Sequence, residues 1–438
     1  MELKRLMKDA GIVGAGGAGF PSYAKIGEGA DTLLVNGSEC EPLLYTDYII
    51  LKREMDNVLF GVRAVIEATS IKKAVLAIKA HTAKRLSLSD GDELCPSVFV
   101  RVLPDVYPIG DEVSLIYQAL GRLVAPGKLP ISVGVIVYNV ETMYNLAIAK
   151  KSGEGVTKKW ITVGGSISSP TVIKVPVGTP VSSILKKLSI TVGEEDAVID
   201  GGPSMGKIIN PDLATVTKTT SSLLILPRST QAVESKLISD KMALSRAETA
   251  CCQCTRCTDM CPRALLGYPL EPHRMVRTAM GAVEASPVMV LSATLCCGCG
   301  ICESLACSQG ISPKAVINNY KALLAKNKMR YTENGNIEPH PARDYRMIPS
   351  DKWAYTIGVK RYDRVCEYGG ELSDFDRVRI PLNRHIGAPS IPSVKDGDRV
   401  KVGDLVAVAS DGLSVNQHAS LSGRVSVGMN EIIIDADR

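Results

Sequence analysis

The chain has 438 residues, of which 45% are hydrophobic and 22% are charged, and its formal net charge is +5. This length supports about three domains with apolar cores, and the composition is typical of a soluble globular protein. The mild charge, with only two Trp and four Phe, argues against a nucleic-acid-binding surface, and no apolar run is long enough to span a membrane.

The chain begins with a short amphipathic pattern. Leu3, Leu6, Met7 and Ala10 fit one face of a helix. An exposed docking peptide and a packed first helix both satisfy this pattern, and we expect the packed helix. Because these residues lack the apolar core of a signal peptide, we expect a cytoplasmic protein.

A glycine-rich loop follows this helix. Gly14, Gly16 and Gly19 form the motif G-x-G-x-x-G, which in a Rossmann fold comes directly after a strand. The preceding residues have a helical pattern, so we reject a Rossmann site, although Glu39 and Glu41 lie where that fold places its ribose-binding acid. Glycines nevertheless allow backbone amides to approach a phosphate group.

Residues 1 to about 150 alternate between apolar strands and helices, which predicts an α/β fold. The predicted strands are Thr32–Val35, Ala74–Ile78, Val98–Leu103 and Ser132–Tyr138, and the predicted helices are Asp56–Ala68, Val113–Leu120 and Glu141–Ala149. A smaller α+β unit follows. Its predicted strands are Ile161–Gly165, Thr171–Val175, Ala197–Asp200 and Leu223–Leu226, with a short helix at Pro180–Leu188.

Two dense cysteine runs follow a polar, helix-prone stretch at about residues 228–248. The first run reads C-x2-C-x2-C-x3-C-P, and the second reads C-x2-C-x2-C-x4-C with Ser308 where proline usually follows. Three thiolates at such gaps hold one [4Fe–4S] cluster, and in two-cluster ferredoxins the fourth cysteine ligates the other cluster. We predict one cluster on Cys251, Cys254, Cys257 and Cys307, and another on Cys296, Cys299, Cys302 and Cys261.

Structural zinc is the alternative interpretation of these cysteines. Zinc takes four ligands, usually from two CxxC pairs, so a triple run followed by C-P provides more ligands than zinc uses. The chain has 13 cysteines, and this odd number does not suit a closed disulfide framework. We expect the remaining five to be bystanders beside the clusters or buried thiols: Cys252, Cys297, Cys40, Cys95 and Cys366.

The C-terminal part changes pattern twice. Residues 330–350 are rich in Asn, Pro, His and Arg and predict a surface connection. From about residue 378, short strands alternate with glycines and predict an all-β tail. The tail also fits lipoyl and biotinyl carrier domains, but its turn at residues 414–418 has no Lys to modify. His385 and His418 are either metal or cobalamin ligands or structural side chains, and we expect the structural role.

Four blocks resemble the FMN-binding, NADH-oxidising subunit of respiratory complex I and the RnfC family. They are G-G-A-G-F-P at 16–21, N-G-S-E-C-E-P at 36–42, Y-P-I-G-D-E at 107–112 and N-V-E-T at 139–142. The resemblance implies that the FMN phosphate and ribityl chain are surrounded by Gly14, Gly16, Gly17, Gly19 and Lys25. It also implies hydrogen bonds to the flavin from Asn36, Glu39, Asn139 and Thr142. Phe20, Glu41 and Glu112 would lie near the nicotinamide nucleotide, and the third block adds Tyr107 and Gly110 to the cofactor site. Each carboxylate alone also fits a turn or a helix cap.

The tail carries a second resemblance. I-P-L-N-R-H-I-G-A-P at 380–389 and H-A-S-L-S-G at 418–423 resemble the barrel-sandwich module of RnfC, and residues 155–225 resemble the soluble-ligand-binding β-grasp (SLBB) domain. In RnfC the module comes first, whereas here it comes last, an order similar to that of the PduS-type cobalamin reductases. The implied architecture is an FMN/NADH-binding α/β domain (1–152), an SLBB-like β-grasp domain (153–228), a helical dicluster ferredoxin-like domain (229–330), a connection (331–377) and a barrel-sandwich β module (378–438).

The resemblance implies an NADH-dependent oxidoreductase that passes electrons through FMN and two [4Fe–4S] clusters to a corrinoid, inside a bacterial microcompartment. A corrinoid-handling adenosyltransferase and a shell protein are the implied partners. Two alternatives remain: an RnfC-like subunit of a larger membrane or reductase complex, and a non-enzymatic metal-binding scaffold. Because electron steps require no acid–base side chain, we predict no catalytic residues.

Overall fold

The first domain is built on a parallel sheet in the computed structural model, which describes residues 2–332 and 335–437. Its strands are central apolar runs buried on both faces, as parallel strands covered by helices usually are. The sheet order is β3-β4-β2-β1-β6, with only β3 antiparallel. The elements are α1 (Glu2–Asp9), β1 (Thr32–Gly37), α2 (Thr46–Ala68), β2 (Lys73–Lys79), α3 (Ala80–Leu86), β3 (Glu93–Cys95), β4 (Val98–Leu103), β5 (Val106–Tyr107), α4 (Glu112–Leu120), β6 (Val135–Asn139) and α5 (Val140–Ser152).

Two elements in this domain begin well away from their predicted starts, and α5 ends at Ser152 rather than Ala149. Helix α2 begins at Thr46 rather than Asp56, because its first turns are buried and apolar on most sides and so lack an amphipathic pattern. Strand β6 begins at Val135 rather than Ser132, because a 3-10 turn at Pro130–Val133 ends at Gly134 with φ +73°. Helix α1 packs Leu3 and Met7 into the core, as expected for a packed first helix.

The second domain is a mixed sheet of order β10-β9-β11-β7-β8-β13, in which β13 (Glu367–Glu371) comes from a later part of the chain. Its hairpin β7–β8 is antiparallel, and β11 pairs with β7 in parallel. One short helix covers the sheet, which buries an apolar core around Val163, Ile173 and Leu223. The elements are β7 (Lys158–Gly165), β8 (Thr171–Pro176), α6 (Val181–Lys187), β9 (Asp196–Asp200), β10 (Lys207–Ile209) and β11 (Ser222–Pro227).

The cysteine-rich region is helical. Proline occupies the first turn of several of these helices, where its missing N–H has no intrahelical acceptor to lose. The helices are α7 (Gln231–Leu237), α8 (Asp240–Ala250), α9 (Arg256–Asp259), α10 (Pro262–Leu265), α11 (Pro272–Ala279), α12 (Pro287–Ser292), α13 (Ile301–Ser304) and α14 (Pro313–Lys326). Among the described residues, no helix is both long and apolar enough to cross a membrane.

The segment expected to be a connection contains three packed elements. They are β12 (Ile348–Pro349), α15 (Ser350–Thr356) and β13 (Glu367–Glu371). Strand β12 pairs with β5 of the first domain, and β13 pairs in parallel with β8 of the second. Trp353 of α15 is 1% exposed, and its ring stacks on Tyr107 with centroids 4.6 Å apart. These residues therefore extend the cores of two domains.

The C-terminal module, residues 377–436, consists of two small antiparallel sheets. Their orders are β14-β20-β19-β16 and β15-β17-β18, and alternate residues such as Val378, Ile380, Ile432 and Ile434 form the core between them. The first strand, β14, pairs directly with the last, β20. The strands are β14 (Arg377–Pro381), β15 (Ile391–Pro392), β16 (Arg399–Val400), β17 (Leu405–Val408), β18 (Gln417–His418), β19 (Gly423–Val427) and β20 (Glu431–Ala436).

This module packs against both α/β domains. The Ile386 amide donates to the Gly19 carbonyl at 2.9 Å, and the Arg379 amide donates to the Gly178 carbonyl at 2.8 Å. The buried Lys218 ammonium donates to the carbonyls of Gly11 (2.8 Å) and Asn416 (3.2 Å). The first domain, the β-grasp domain and the module therefore meet at one junction beside the glycine loop.

Candidate cofactor cavity and cysteine cradles

A cavity of about 950 Å³ opens at the carboxyl ends of the parallel strands of the first domain. Asn36 near the end of β1 and Asn139 at the end of β6 are register partners and both line it. Ligands of open α/β sheets bind at this edge, and a nucleotide-sized ligand fits a cavity of this volume. The β-grasp domain and the C-terminal module complete the wall.

The glycine loop presents free backbone donors to this cavity. The Gly19 amide donates to the Gly14 carbonyl at 3.1 Å, which closes the loop on itself. Within the described residues, three successive amides on the cavity side have no protein acceptor: Gly16, Gly17 and Ala18. Successive free amides form an anion-binding concavity, so this loop fits the phosphate group of FMN.

Two carboxyls line the cavity, the half-buried Glu39 and the buried Asp47. Glu39 accepts hydrogen bonds from the amides of Asp47 (3.1 Å) and Tyr48 (3.3 Å) at the start of α2, and its own φ is +29°. Burial, with repulsion from Asp47, raises the pKa of Glu39 to about 8. Burial also raises the pKa of Asp47 to about 7, although a hydrogen bond from Asn139 opposes this rise. A strained backbone and shifted carboxyls are typical of functional sites.

A buried ion pair between Lys159 and Glu141 anchors the glycine loop. The Lys159 ammonium contacts the Glu141 carboxylate, and both side chains are at most 2% exposed. Lys159 also donates to the Ala15 carbonyl at 3.2 Å, while Glu141 accepts from the Trp160 amide at 3.2 Å. Removing one partner of such a pair is costly, so the pair holds the glycine loop against β7.

Half of the residues expected to bind the cofactor line the cavity. They are Gly16, Gly17, Asn36, Glu39, Glu41, Gly110 and Asn139. The structure places the others outside that wall: Gly14, Gly19, Phe20, Lys25, Tyr107, Glu112 and Thr142. Lys25 pairs with Glu112 at 2.8 Å, and Thr142 accepts from the Ala15 amide at 3.3 Å. In this structure Lys25, Glu112 and Thr142 therefore hold neighbouring segments of the first domain together instead of lining the cavity.

Glu41 has a structural contact that the sequence did not indicate. Its carboxylate accepts from the amides of Ser204 (2.7 Å) and Met205 (2.9 Å) in the β-grasp domain. Gly202 leaves room for this carboxyl, because a Cβ there would overlap the Glu41 side chain in its present position. Glu41 therefore joins the first two domains at the cavity wall.

The eight predicted cluster cysteines fall into two groups in space. One small cavity is lined by Cys251, Cys254, Cys257 and Cys307, and another by Cys261, Cys296, Cys299 and Cys302. We call these groups the outer cradle and the inner cradle. Each draws three cysteines from one run and one from the other, which is the crossed pattern of two-cluster ferredoxins. No three described His, Cys, Asp or Glu side chains converge as ligands of a single metal ion.

The inner cradle adjoins the large cavity. Cys297 lines both spaces. The Tyr107 hydroxyl donates to the Cys299 carbonyl at 2.7 Å, and Arg263 pairs with Asp111 at 2.7 Å. The third FMN-type block therefore holds the inner cysteine loop directly.

The outer cradle lies at the surface. Cys254 is exposed, as is the neighbouring Cys252, whereas Cys261, Cys299 and Cys302 are buried. The inner cradle contacts the cavity through Cys297 and the outer cradle through packing of α13 against α9.

The other cysteines and the two histidines have structural surroundings. Cys366 is buried, and Cys40 and Cys95 are half-buried. Nε2 of His385 lies 2.9 Å from the Ala388 carbonyl oxygen, and burial lowers the pKa of His418 to about 4.

The sequence reasoning missed several residues of the cavity wall. These are Asp47, Asp111, Lys159, Lys207, Cys297 and Arg384. Asp111 and Cys297 lie inside predicted motifs, and this placement could have indicated that they lie near the cavity. The others belong to elements that reach the cavity only through tertiary packing.

Comparisons with known proteins agree with this architecture. Residues 7–148 match the Nuo51 FMN-binding domain, residues 250–312 match a 4Fe–4S dicluster domain, and residues 370–434 match the RnfC barrel-sandwich hybrid domain. Cobalamin reductase PduS of Salmonella typhimurium is 36% identical over 430 residues, which cover 97% of this chain and 94% of that protein. The chain belongs to the PduS family.

Two further relatives set this family in context. PduS of Citrobacter freundii is 36% identical over 97% of this chain and 94% of its own length. A component of the ion-translocating oxidoreductase complex of Rhodobacter capsulatus is 30% identical over 65% of this chain and 54% of its length. The expected resemblance to PduS-type proteins is confirmed, as is the expected multidomain fold with FMN-binding, dicluster and barrel-sandwich domains.

Proposed function

We propose that this PduS-family chain is an NADH-dependent cobalamin reductase. The observation that carries the proposal is the continuity of its sites. The cavity with free amides adjoins the inner cradle through Cys297, and α13, which carries Cys302 of the inner cradle, packs against α9, which carries Cys257 of the outer cradle. Bound FMN would supply two-electron hydride chemistry, and the two clusters held by the cradles would supply single-electron transfer. Oxidation of one NADH to NAD⁺ releases two electrons, enough to reduce two corrinoid cobalt centres by one electron each.

The chain contributes binding and placement. The amides of the glycine loop would hold the flavin phosphate, and Asn36, Glu39 and Asn139 would face the flavin. The eight cradle thiolates would hold about eight irons in two clusters. Tyr107 and Asp111 fix the inner cradle against the cavity, which keeps the carriers close together.

We also propose an order of electron flow, from the cavity to the inner cradle and then to the outer cradle. Its support is burial: the inner cysteines are covered, and Cys254 of the outer cradle is exposed, where an acceptor can approach it.

Paired variants test both function and order. Anaerobically purified chain should oxidise NADH with aquacobalamin without other proteins. Cys254→Ser should lose about half of the iron yet still allow NADH to reduce the inner cluster. Cys299→Ser should leave the outer cluster oxidised in the presence of NADH but reducible by dithionite. Zinc in place of iron, or NADH reduction of the outer cluster in Cys299→Ser, would contradict the proposal.

An RnfC-like role in a larger complex is the second candidate, and the 30% identity to the ion-translocating complex component over 65% of the chain favours it. In that case the purified chain should reduce aquacobalamin only slowly, and membrane or reductase fractions should restore the rate. Family membership also supports a location inside a microcompartment, with an adenosyltransferase and a shell protein as partners. Co-purification from cells that contain the shell tests that location.

A further inference from the structure

Two cations on the cavity wall have no ion-pair partner among the described residues. They are Arg384, which follows β14 in the C-terminal module, and Lys207, the first residue of β10. Both are exposed. Most other charged groups on the wall are satisfied by protein: the pairs are Glu141 with Lys159, Asp111 with Arg263 and Glu431 with Arg379, and Glu41 accepts from two amides.

Both cations lie near the carboxyl of Asp200, and therefore near each other. Asp200 is the register partner of Lys207 across β9 and β10. Burial raises the pKa of Asp200, and both Arg384 and Lys207 oppose this rise, so both lie near its carboxyl. One carboxylate close to two cations leaves this part of the wall with a net positive charge.

This positive region adjoins the free amides of the glycine loop. The Ile386 amide bonds to the Gly19 carbonyl, and a side chain at Gly19 would come within 3.3 Å of the Arg384 carbonyl oxygen. Guanidinium groups bind phosphate through two parallel hydrogen bonds, and ammonium groups bind it as point charges. An anion entering here would contact groups from all three domains.

We propose that Arg384 and Lys207 bind a phosphate group of a bound nucleotide. The C-terminal module and the β-grasp domain thereby complete a site that the glycine loop begins. This inference rests on the proposed function, which supplies two sources of phosphate: FMN and the pyrophosphate of NADH.

Binding measurements on the full chain separate these sources. Arg384→Ala and Lys207→Ala are compared with Arg424→Ala, which removes an exposed cation of the same module away from the cavity. FMN and riboflavin are titrated into flavin-stripped protein, and ADP-ribose into FMN-loaded protein. We expect about tenfold weaker binding of FMN or of ADP-ribose in both cavity variants, unchanged riboflavin binding, and partial recovery in Arg384→Lys. Weaker FMN binding identifies the flavin phosphate, and weaker ADP-ribose binding identifies the pyrophosphate.

Unchanged affinities for both ligands in the two cavity variants, with NADH oxidation intact in the wild type, would overturn the phosphate site and leave the proposed function standing. Wild-type protein that binds neither FMN nor ADP-ribose would overturn both.

Discussion

The carboxyls of Glu39 and Asp47 on the cavity wall make stability depend on pH. Their pKa values in the fold, about 8 and about 7, lie above ordinary carboxyl values, so the folded chain holds protons that the unfolded chain releases. Their stabilising contribution is complete below about pH 4 and is lost as the pH rises through about 7 to 8. We therefore expect the thermal midpoint of flavin-free protein to fall between pH 6 and pH 9.

Glu39→Gln keeps a hydrogen-bond acceptor for the α2 amides but removes the charge. It should raise stability at pH 9 by about 1 kcal/mol and flatten the pH dependence. Glu28→Gln, at an exposed position, is the matched control. The thermal midpoint is measured anaerobically against pH for the wild type, Glu39→Gln and Glu28→Gln. Equal slopes in all three proteins would show that Glu39 does not titrate in this range.

Helix α15 is a short element that supports the inner cradle. Its Trp353 packs on Tyr107, whose hydroxyl holds the Cys299 carbonyl. Trp353→Ala should destabilise the chain by about 3–5 kcal/mol and lower its iron content toward half by loosening the inner cluster. Tyr355→Ala removes a 70% exposed ring from the same helix and should change neither quantity. Iron analysis and thermal unfolding decide between these outcomes.

At the scale of the whole molecule, docking of the C-terminal module depends on close backbone contact. Gly178 has φ +90°, and a Cβ there would lie 2.7 Å from the Arg379 carbonyl oxygen. Gly178→Ala should cost about 1–3 kcal/mol and speed tryptic cleavage between the domains. Gly153→Ala is the control, because Gly153 has φ +73° but no atom within 4 Å of its Cβ position. Equal cleavage of the two variants would mean that backbone strain alone accounts for the effect.

The sequence predicted the structural features that depend on local residue patterns. The apolar runs of β1, β2 and β4 mark a sheet buried on both faces, and the cysteine spacing reflects local ligand geometry. Contacts between residues distant in the sequence were beyond such reasoning: Lys25 pairs with Glu112 across 87 positions, and Glu41 accepts from the Ser204 amide across 163. The packed elements at 348–371 were missed because the polar stretch before them indicated only a connection.

The pairing of β14 with β20 brings the two ends of the C-terminal module together. Arg377 lies opposite Asp435, so the C-terminal module begins and finishes at the same place. Such a unit can be cut from one point in a gene and inserted at another while its internal contacts stay the same. Such a module can therefore be joined to its neighbours at either end of a polypeptide, provided that the glycine loop keeps a surface to receive it.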